Sequence, residues 1–375
     1  MQAGANSAGS EDHNAGAMSA AGAEPAARSG RTSGVQPHPA PAIVGGIDIG
    51  GTKVAVTVAN QSGILARLSQ PTLKTGDEVA VPEQVAGMLR SACEQAGVAG
   101  VDAVGVSSCG PFRLQDDQIT LVTPNICGGL AKSHDLPNDW RSIPLEAVLR
   151  RHFPRLYILN DAVAALHGER CFGAAQGEAN CAYVTWSTGV GVGLCVDGRL
   201  LRGKAGNAGH AGHMLLSETS LAECGCGNRG DLEALISGRN LARRLGRSTA
   251  DVFNAARQGN AGAYEVAVGA AQWLGRGLYN IIAMLDTRVI VIGGAVWENH
   301  SDWLAPMVEQ EVFSHLPALT QGVSIKSTGL GKLVADIGAL SLVLPEAWQE
   351  DWRIRQPWAA MLQPPEPQAA PFSGH

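Results

Sequence analysis

The feature that most constrains this chain of 375 residues is a unit of strand, glycine turn and strand that occurs twice. Ala42 to Ala59 reads AIVGGIDIGGTKVAVTVA, and Cys181 to Leu201 reads CAYVTWSTGVGVGLCVDGRLL. In each copy a β-branched run enters a Gly-rich turn and a second run leaves it. A further turn, Gln61-Ser62-Gly63 in one and Asp197-Gly198 in the other, leads to a third strand. Each copy therefore predicts an antiparallel meander, and the pair predicts a duplicated architecture with one glycine loop from each half. Short apolar runs at Ala103 to Val106, Leu156 to Leu159 and Val289 to Ile292 fit buried parallel strands. Helical spacing covers Pro82 to Ala96, Pro144 to Arg151, Ala162 to Arg170, Leu232 to Gly246, Ala261 to Met284 and Trp303 to Leu316. Strands and helices alternate, so the expected class is α/β.

With 45% hydrophobic and 17% charged residues, the chain has the apolar content of packed domains and more length than one core holds. A net charge of −6 without a basic run excludes a general binder of nucleic acid or membrane surfaces, which gathers Lys and Arg against phosphate. No apolar stretch reaches the roughly 18 residues of a membrane span, and the N-terminus lacks a charged-then-apolar signal. The expectation is a cytoplasmic protein with neither nucleic acid nor membrane as partner. Its eight scattered Cys then read as reduced thiols, with Cys224 and Cys226 as a candidate metal pair. Residues 1–42, rich in Ala, Gly, Ser and Pro, predict a disordered tail. From Gln349 onward Pro357, Pro364, Pro365, Pro367 and Pro371 and the loss of periodicity predict a second, Pro-rich disordered tail, leaving 43–348 as the folded body.

Four places carry chemistry. In Asp48-Ile49-Gly50-Gly51-Thr52-Lys53, glycines at a turn let backbone N–H groups approach an anion. Asp48 can hold Mg²⁺ there and Thr52 can bond a phosphate oxygen; the bland reading is a tight hairpin with a solvated Asp. Ser187-Thr188-Gly189-Val190-Gly191-Val192-Gly193 can cradle the same polyphosphate from the opposite side. Asn160 and Asp161 end an apolar strand and precede a helix, where Asp161 is either a base for an attacking hydroxyl or the helix N-cap; two phosphate loops beside it favour the base. Gly293-Gly294 closes the strand Val289 to Ile292, where a planar base can lie against backbone; alone it is a strand and a turn.

On these residues the chain resembles the ROK family of sugar kinases (repressor, open reading frame, kinase), within the actin-like, hexokinase-like, ribonuclease H-like ATPase fold of two domains around a central cleft. The resemblance covers the whole folded body. It implies that Asp48, Gly50, Gly51, Thr52 and Lys53 form the first phosphate motif, Thr188, Gly189 and Gly191 the second, and Gly293 and Gly294 the adenosine motif. It further implies sugar contacts from Gly110, Asn125 and Asn160, and Asp161 as general base. Two motifs depart from the pattern. Where the family has Gly-Glu-x-Gly-His, this chain reads Gly209-His210-Ala211-Gly212-His213, so an imidazole replaces a carboxylate that touches sugar hydroxyls. Where the family has Cys-x-Cys-Gly-x-x-Gly-Cys-x-Glu, Asp231 replaces the third Cys, and Glu233 keeps the place of the sugar-contacting Glu. His213, Cys224, Cys226 and Asp231 then form a structural zinc site, or Asp231 merely caps the helix starting at Leu232.

The resemblance also implies Mg-ATP as donor, a homodimer, a small domain of 43–165 plus 331–348 and a large domain of 166–330; the helix Ala261 to Met284 is a candidate packing element for the dimer. The implied reaction is phosphorylation of a primary hydroxyl of a hexose. His210 favours an alternative acceptor, a C7-cyclitol or an aminosugar. A non-catalytic sugar sensor is the third reading; the family's repressors carry an N-terminal helix-turn-helix, which residues 1–42 do not resemble, so direct DNA binding is not expected.

Overall fold

Residues 42–131 and 136–362 are described by a computed structural model. The near-continuous apolar run Val44–Ile49 (β1) is buried along both faces, as a central strand must be. β1, β2 (Lys53–Asn60) and β3 (Gly63–Pro71) form the first meander. β4 (Ala103–Ser108) pairs parallel with β1, the hairpin of β5 (Phe112–Gln115) and β6 (Gln118–Leu121) stands apart, and β7 (Leu156–Asn160) pairs parallel with β4. The second meander is β8 (Cys181–Trp186), β9 (Val190–Val196) and β10 (Arg199–Leu200), extended in parallel by β11 (Val289–Gly293) and β12 (Ser324–Ser327). The sheet orders are β3-β2-β1-β4-β7 and β10-β9-β8-β11-β12. They are one order read twice, the duplication expected from the repeated unit.

The helices are α1 (Ala80–Gln95), α2 (Leu145–His152), α3 (Asp161–Phe172), α4 (Leu232–Ile236), α5 (Gly238–Leu245), α6 (Thr249–Arg257), α7 (Ala261–Leu285), α8 (Ala295–Phe313), α9 (Pro317–Thr320), α10 (Val334–Ser341), α11 (Glu346–Arg355) and α12 (Ala359–Leu362). The single helix expected from Leu232 to Gly246 is two, because Ser237 takes extended geometry and its side chain accepts from Asn240 N–H, starting α5 afresh. The helix expected from Trp303 begins instead at Ala295, directly after Gly294.

Two helices join the halves. α3 leads from β7 into the second half, and α10 returns from β12 to lie against β1 and β4. They cross at glycines: a Cβ on Gly168 would stand 3.1 Å from Gly338 Cα, and one on Gly338 would stand 2.7 Å from Ala164 O. Only Gly permits that approach. Fully buried Glu169 fastens the crossings to each other, accepting from Ala174 N–H (2.6 Å), Gly329 N–H (3.1 Å), Leu330 N–H (3.3 Å) and the Thr328 hydroxyl.

The disordered tail expected from Gln349 is corrected as far as Leu362. Trp348, Trp352 and Trp358 are buried with Phe172 in one cluster, and Trp352 Nε1 donates to Asn60 O and Gln61 O at 3.2 and 3.1 Å. Proline density suggested a tail, but the indoles of Trp352 and Trp358 supply apolar area that a disordered segment lacks. The rest of that expectation, 363–375, and the N-terminal tail up to residue 41 lie outside the described residues. Trp352→Ala is expected to lower unfolding free energy by about 3–5 kcal/mol, measured by chemical denaturation. An unchanged midpoint would mean the segment only drapes the body.

Candidate active site

Between the sheets lies a cavity of about 550 Å³, bordered by both glycine turns and by the start of α3. A larger hollow of about 730 Å³ lies against the edge strands β7 and β10, and Asn160 alone borders both. The chemistry gathers in the smaller one.

The β1–β2 turn closes with Gly50 N–H donating to Lys53 O at 2.9 Å, and Thr72 Oγ1 donates to Gly50 O at 2.7 Å. Gly51 and Thr52 face the cavity, whereas Lys53 is exposed and does not border it. Lys74, which the sequence reading missed, donates to Gly51 O and Asn125 O and so pins that loop to Asn125. In the β8–β9 turn Ser187 N–H donates to Gly189 O at 3.0 Å, and Thr188, Gly189 and Gly191 border the cavity from the other half. A Cβ on Gly189 would lie 2.7 Å from Glu233 Oε2, which already accepts from Val190 N–H at 2.9 Å. Glu233 and the second loop therefore hold each other.

Asn160, 6% exposed, is the N-cap of α3, its Oδ1 accepting from Ala162 N–H at 3.1 Å. The cap reading left open for Asp161 thus belongs to its neighbour. Asp161 opens the helix with Oδ1 2.8 Å from the same N–H, and 3.9 Å from where a Cβ on Gly191 would stand. Burial chiefly, and the charge of Glu233, push its carboxyl up to about 6, against hydrogen bonds that favour the anion. Asp48 sits behind it, bonded by Ser107 Oγ at 3.1 Å. Burial and then the charges of Asp336 and Asp161 push it up to about 7. Asp48 and Asp336 do not border the cavity, so of these three carboxylates Asp161 alone presents to it the oxygen ligand that a hard cation such as Mg²⁺ takes.

A further part of the cavity wall is built from loops. A Cβ on Gly110 would stand 2.9 Å from His210 Nε2 and 3.2 Å from Asn160 Nδ2, so these three meet. His210 Nδ1 lies 3.0 Å from Asn207 O. A carbonyl only accepts, so Nδ1 carries the hydrogen, and since burial lowers the ring's pKa, Nε2 is left as an acceptor. Asn207, also missed, clamps Phe112 through both its backbone N–H and its C=O at 2.7 Å. Arg239, unforeseen as well, donates to Asn125 Oδ1 at 2.7 Å across the cavity mouth. Gly293 and Gly294 do not border the cavity. Their missing side chains make room for Tyr183 Oη (2.4 Å from a Cβ on Gly293) and Trp186 O (2.6 Å from one on Gly294).

His213, Cys224, Cys226 and Asp231 present ligand atoms within 4.8 Å of one another. His213 Nδ1 lies 3.2 Å from Asp231 Oδ2, 3.6 Å from Cys226 Sγ and 3.8 Å from Cys224 Sγ, and Cys226 Sγ lies 3.6 Å from Asp231 Oδ2. Zinc bonds of about 2.0–2.3 Å at tetrahedral angles put ligand atoms roughly 3.3–3.8 Å apart, so the set fits that ion. The two readings of Asp231 coexist, because Oδ1 caps α4 by accepting from Ala234 N–H at 2.7 Å while Oδ2 turns to the cluster.

The profile of the ROK family matches residues 44–346. The chain belongs to the ROK family. A glucokinase of Pyrobaculum calidifontis is 31% identical over 306 residues, 79% of this chain and 93% of the relative. The crystal structure of the ROK hexokinase from Thermus thermophilus superposes with a TM-score of 0.65 at 32% identity, covering 80% of this chain and 97% of that one. The ROK glucokinase from Streptomyces griseus, solved with glucose and AMPPNP, gives 0.63 at 27% identity, covering 80% and 99%. The fold is the actin-like, hexokinase-like ATPase fold expected. Trp348, Trp352 and Trp358 lie past the matched ROK span.

Elemental analysis of this ROK protein, purified without chelator, is expected to give one zinc per chain. Asp231→Asn, which keeps the cap acceptor and removes the anionic ligand, is expected to lose zinc to a competing chelator at a concentration on the order of tenfold lower. Zinc-free wild-type protein would rule the metal out.

Proposed function

We propose that this ATP-dependent sugar kinase transfers the γ-phosphoryl group of ATP to an exocyclic primary hydroxyl, the 6-OH of a hexose or its equivalent, with Asp161 as general base. The observation that carries it is the Asp161 carboxylate at the head of α3, close against Gly191 of one glycine loop and bordering a cavity that the other loop also borders. The hydroxyl oxygen forms a bond to the γ-phosphorus, the bond to the β–γ bridging oxygen breaks, ADP leaves with that electron pair, and the hydroxyl proton passes to Asp161. A Mg²⁺ ion held with help from Asp48 would neutralise phosphate charge. Backbone N–H groups of the two glycine turns line the path along which charge develops.

Asn160, His210, His213, Glu233, Asn125 and Gly110 are proposed to read the ring hydroxyls, and zinc on His213 Nδ1 would fix the ring's orientation. Small and large domains of 43–165 with 331–348, and of 166–330, are proposed to close on the acceptor and exclude water. A homodimer through α7, where Tyr264 and Met284 are exposed, a cytoplasmic location and no nucleic-acid partner complete the proposal. Among the described residues no helix is long and apolar enough to cross a membrane.

One observation favours a second acceptor class. His210 Nε2 offers a single neutral acceptor in the place where a carboxylate would offer two charged oxygens. A C7-cyclitol, which lacks an anomeric hydroxyl, needs that carboxylate less than glucose does.

ADP release is to be measured with Mg-ATP over hexoses, aminosugars and C7-cyclitols. Turnover on one compound is expected, reduced about 10²–10⁴-fold by Asp161→Asn. The ionised carboxylate is the active form, so kcat/KM is expected to fall as pH drops through about 6, the value to which burial lifts Asp161. His210→Glu is expected to shift preference toward glucose by roughly tenfold. Silence over the whole panel with binding intact would replace the kinase by a sugar sensor.

A further inference from the structure

The cavity contains one strongly polar group that the proposed reaction has not used. Arg239 is the one Lys or Arg among the described residues that border it. It is the second residue of α5, and the start of that helix is fastened to the second phosphate loop: Gly238 N–H donates to Ser187 O at 2.8 Å and Arg239 N–H to Thr188 O at 3.2 Å. The side chain then crosses to the other half, where Nη1 donates to Asn125 Oδ1 at 2.7 Å. Asn125 touches the first phosphate loop, since a Cβ on Gly51 would stand 2.9 Å from Asn125 Cβ. The guanidinium is therefore anchored on one phosphate loop and ends at the rim of the other.

That position matters because of what the other cations do. Lys53 is exposed and does not border the cavity. Lys74 spends its ammonium on Gly51 O and Asn125 O. The acidic groups at the cavity, Asp161 and Glu233, repel a polyphosphate, and the glycine turns answer it only with N–H dipoles. A transferring phosphoryl group spreads its charge over three oxygens, and a planar guanidinium can meet two of them at once.

We propose that Arg239 is a catalytic residue of the phosphoryl transfer. Its guanidinium leaves Asn125 Oδ1 when the donor's phosphates occupy the two loops, and it forks onto the terminal phosphate. The same movement frees Asn125 Oδ1 to accept from a hydroxyl of the acceptor, so donor and acceptor each favour the other's binding through one exchanged hydrogen bond. This rests on the kinase reading of the site.

The test compares wild type with Arg239→Met, Arg239→Lys and Asn125→Ala, using the acceptor found in the panel and, without turnover, calorimetric titration of AMPPNP and ADP. Arg239→Met keeps the length of the chain and removes the charge. It is expected to cut kcat/KM for ATP by about 10²–10³-fold and to abolish the preference for AMPPNP over ADP. Arg239→Lys, a point charge without a fork, is expected to recover only part of the loss. Asn125→Ala is expected to act through the acceptor's KM instead. If Arg239→Met behaves like Asn125→Ala, or binds AMPPNP and ADP as wild type does, Arg239 is only a bridge and the proposal is overturned. Wild type that binds neither nucleotide would overturn the kinase reading itself, a different result from selective loss in the variant.

Discussion

Everything at this site depends on the approach of α3 to α10. Asp161 and Asn160 stand at the head of α3, Asp336 lies in the first turn of α10, and the two helices can cross this closely only because Gly168 and Gly338 meet without side chains. A methyl group at either position would push the helices apart by a distance comparable to a hydrogen bond's tolerance. The head of α3 would then no longer face Gly191 of the second loop. Glu169 adds the complementary constraint, because its buried carboxylate holds the two chain crossings by four donors, and a buried anion keeps its place only while those donors are satisfied. Packing and polar satisfaction thus act on the same joint.

The electrostatics of the site run against stability. A carboxyl whose folded pKa lies above the ordinary range binds its proton more tightly in the folded state. The stability it contributes is present below about pH 4 and is lost as pH rises through the folded value. Asp48, lifted to about 7, and Asp161, lifted to about 6, both follow that sign, so ionising them near neutrality weakens the fold. Arg67 offsets part of this by pairing with Asp336 at 2.9 Å, where Thr57 Oγ1 also donates. Asp48 has only a Ser107 hydroxyl and distant Lys53 to favour its charge. Asp48 and Asp161 are thus left with hydroxyl and amide donors where Asp336 has a cation.

The sequence revealed the parts of this design that are written locally. Two runs of β-branched residues around glycine turns were enough for both meanders and for the duplicated sheets, because strand period and turn chemistry are short-range. Cys224 and Cys226 were legible from spacing for the same reason, and His213 and Asp231 joined them only through the resemblance to the family's motifs. Arg239, Lys74 and Asn207 were not. Each acts on a partner far along the chain, Arg239 on Asn125 and Asn207 on Phe112, and nothing near them in sequence marks those contacts. α10 escaped because VADIGALS is buried nearly all round and shows no amphipathic period. The C-terminal helix α11 escaped because neighbouring prolines outweighed its two tryptophans, Trp348 and Trp352, which share a buried cluster with Phe172 of α3. Gly293 and Gly294 show the reverse, a motif read as ligand-facing whose glycines have a sufficient reason in the close approach of Tyr183 and Trp186.

The two departures from the family pattern fall on either side of one ring. His213 turns Nδ1 to Cys224, Cys226 and Asp231 and borders the acceptor cavity, and its ring centroid lies 6.1 Å from that of His210. With Asp231 in place of a thiolate, the cluster holds the ring through a harder, shorter ligand that also caps α4, the helix that carries Glu233. With His210 in place of a carboxylate, the neighbouring position loses a charge that would have favoured protonation of His213. Asp231, whose hydrogen bond raises the pKa of His213, keeps a negative partner on that ring, so only the change at His210 removes charge beside it. Both replacements therefore stand beside His213, the ring that borders the cavity, one bonded to its Nδ1 and the other 6.1 Å from it centroid to centroid.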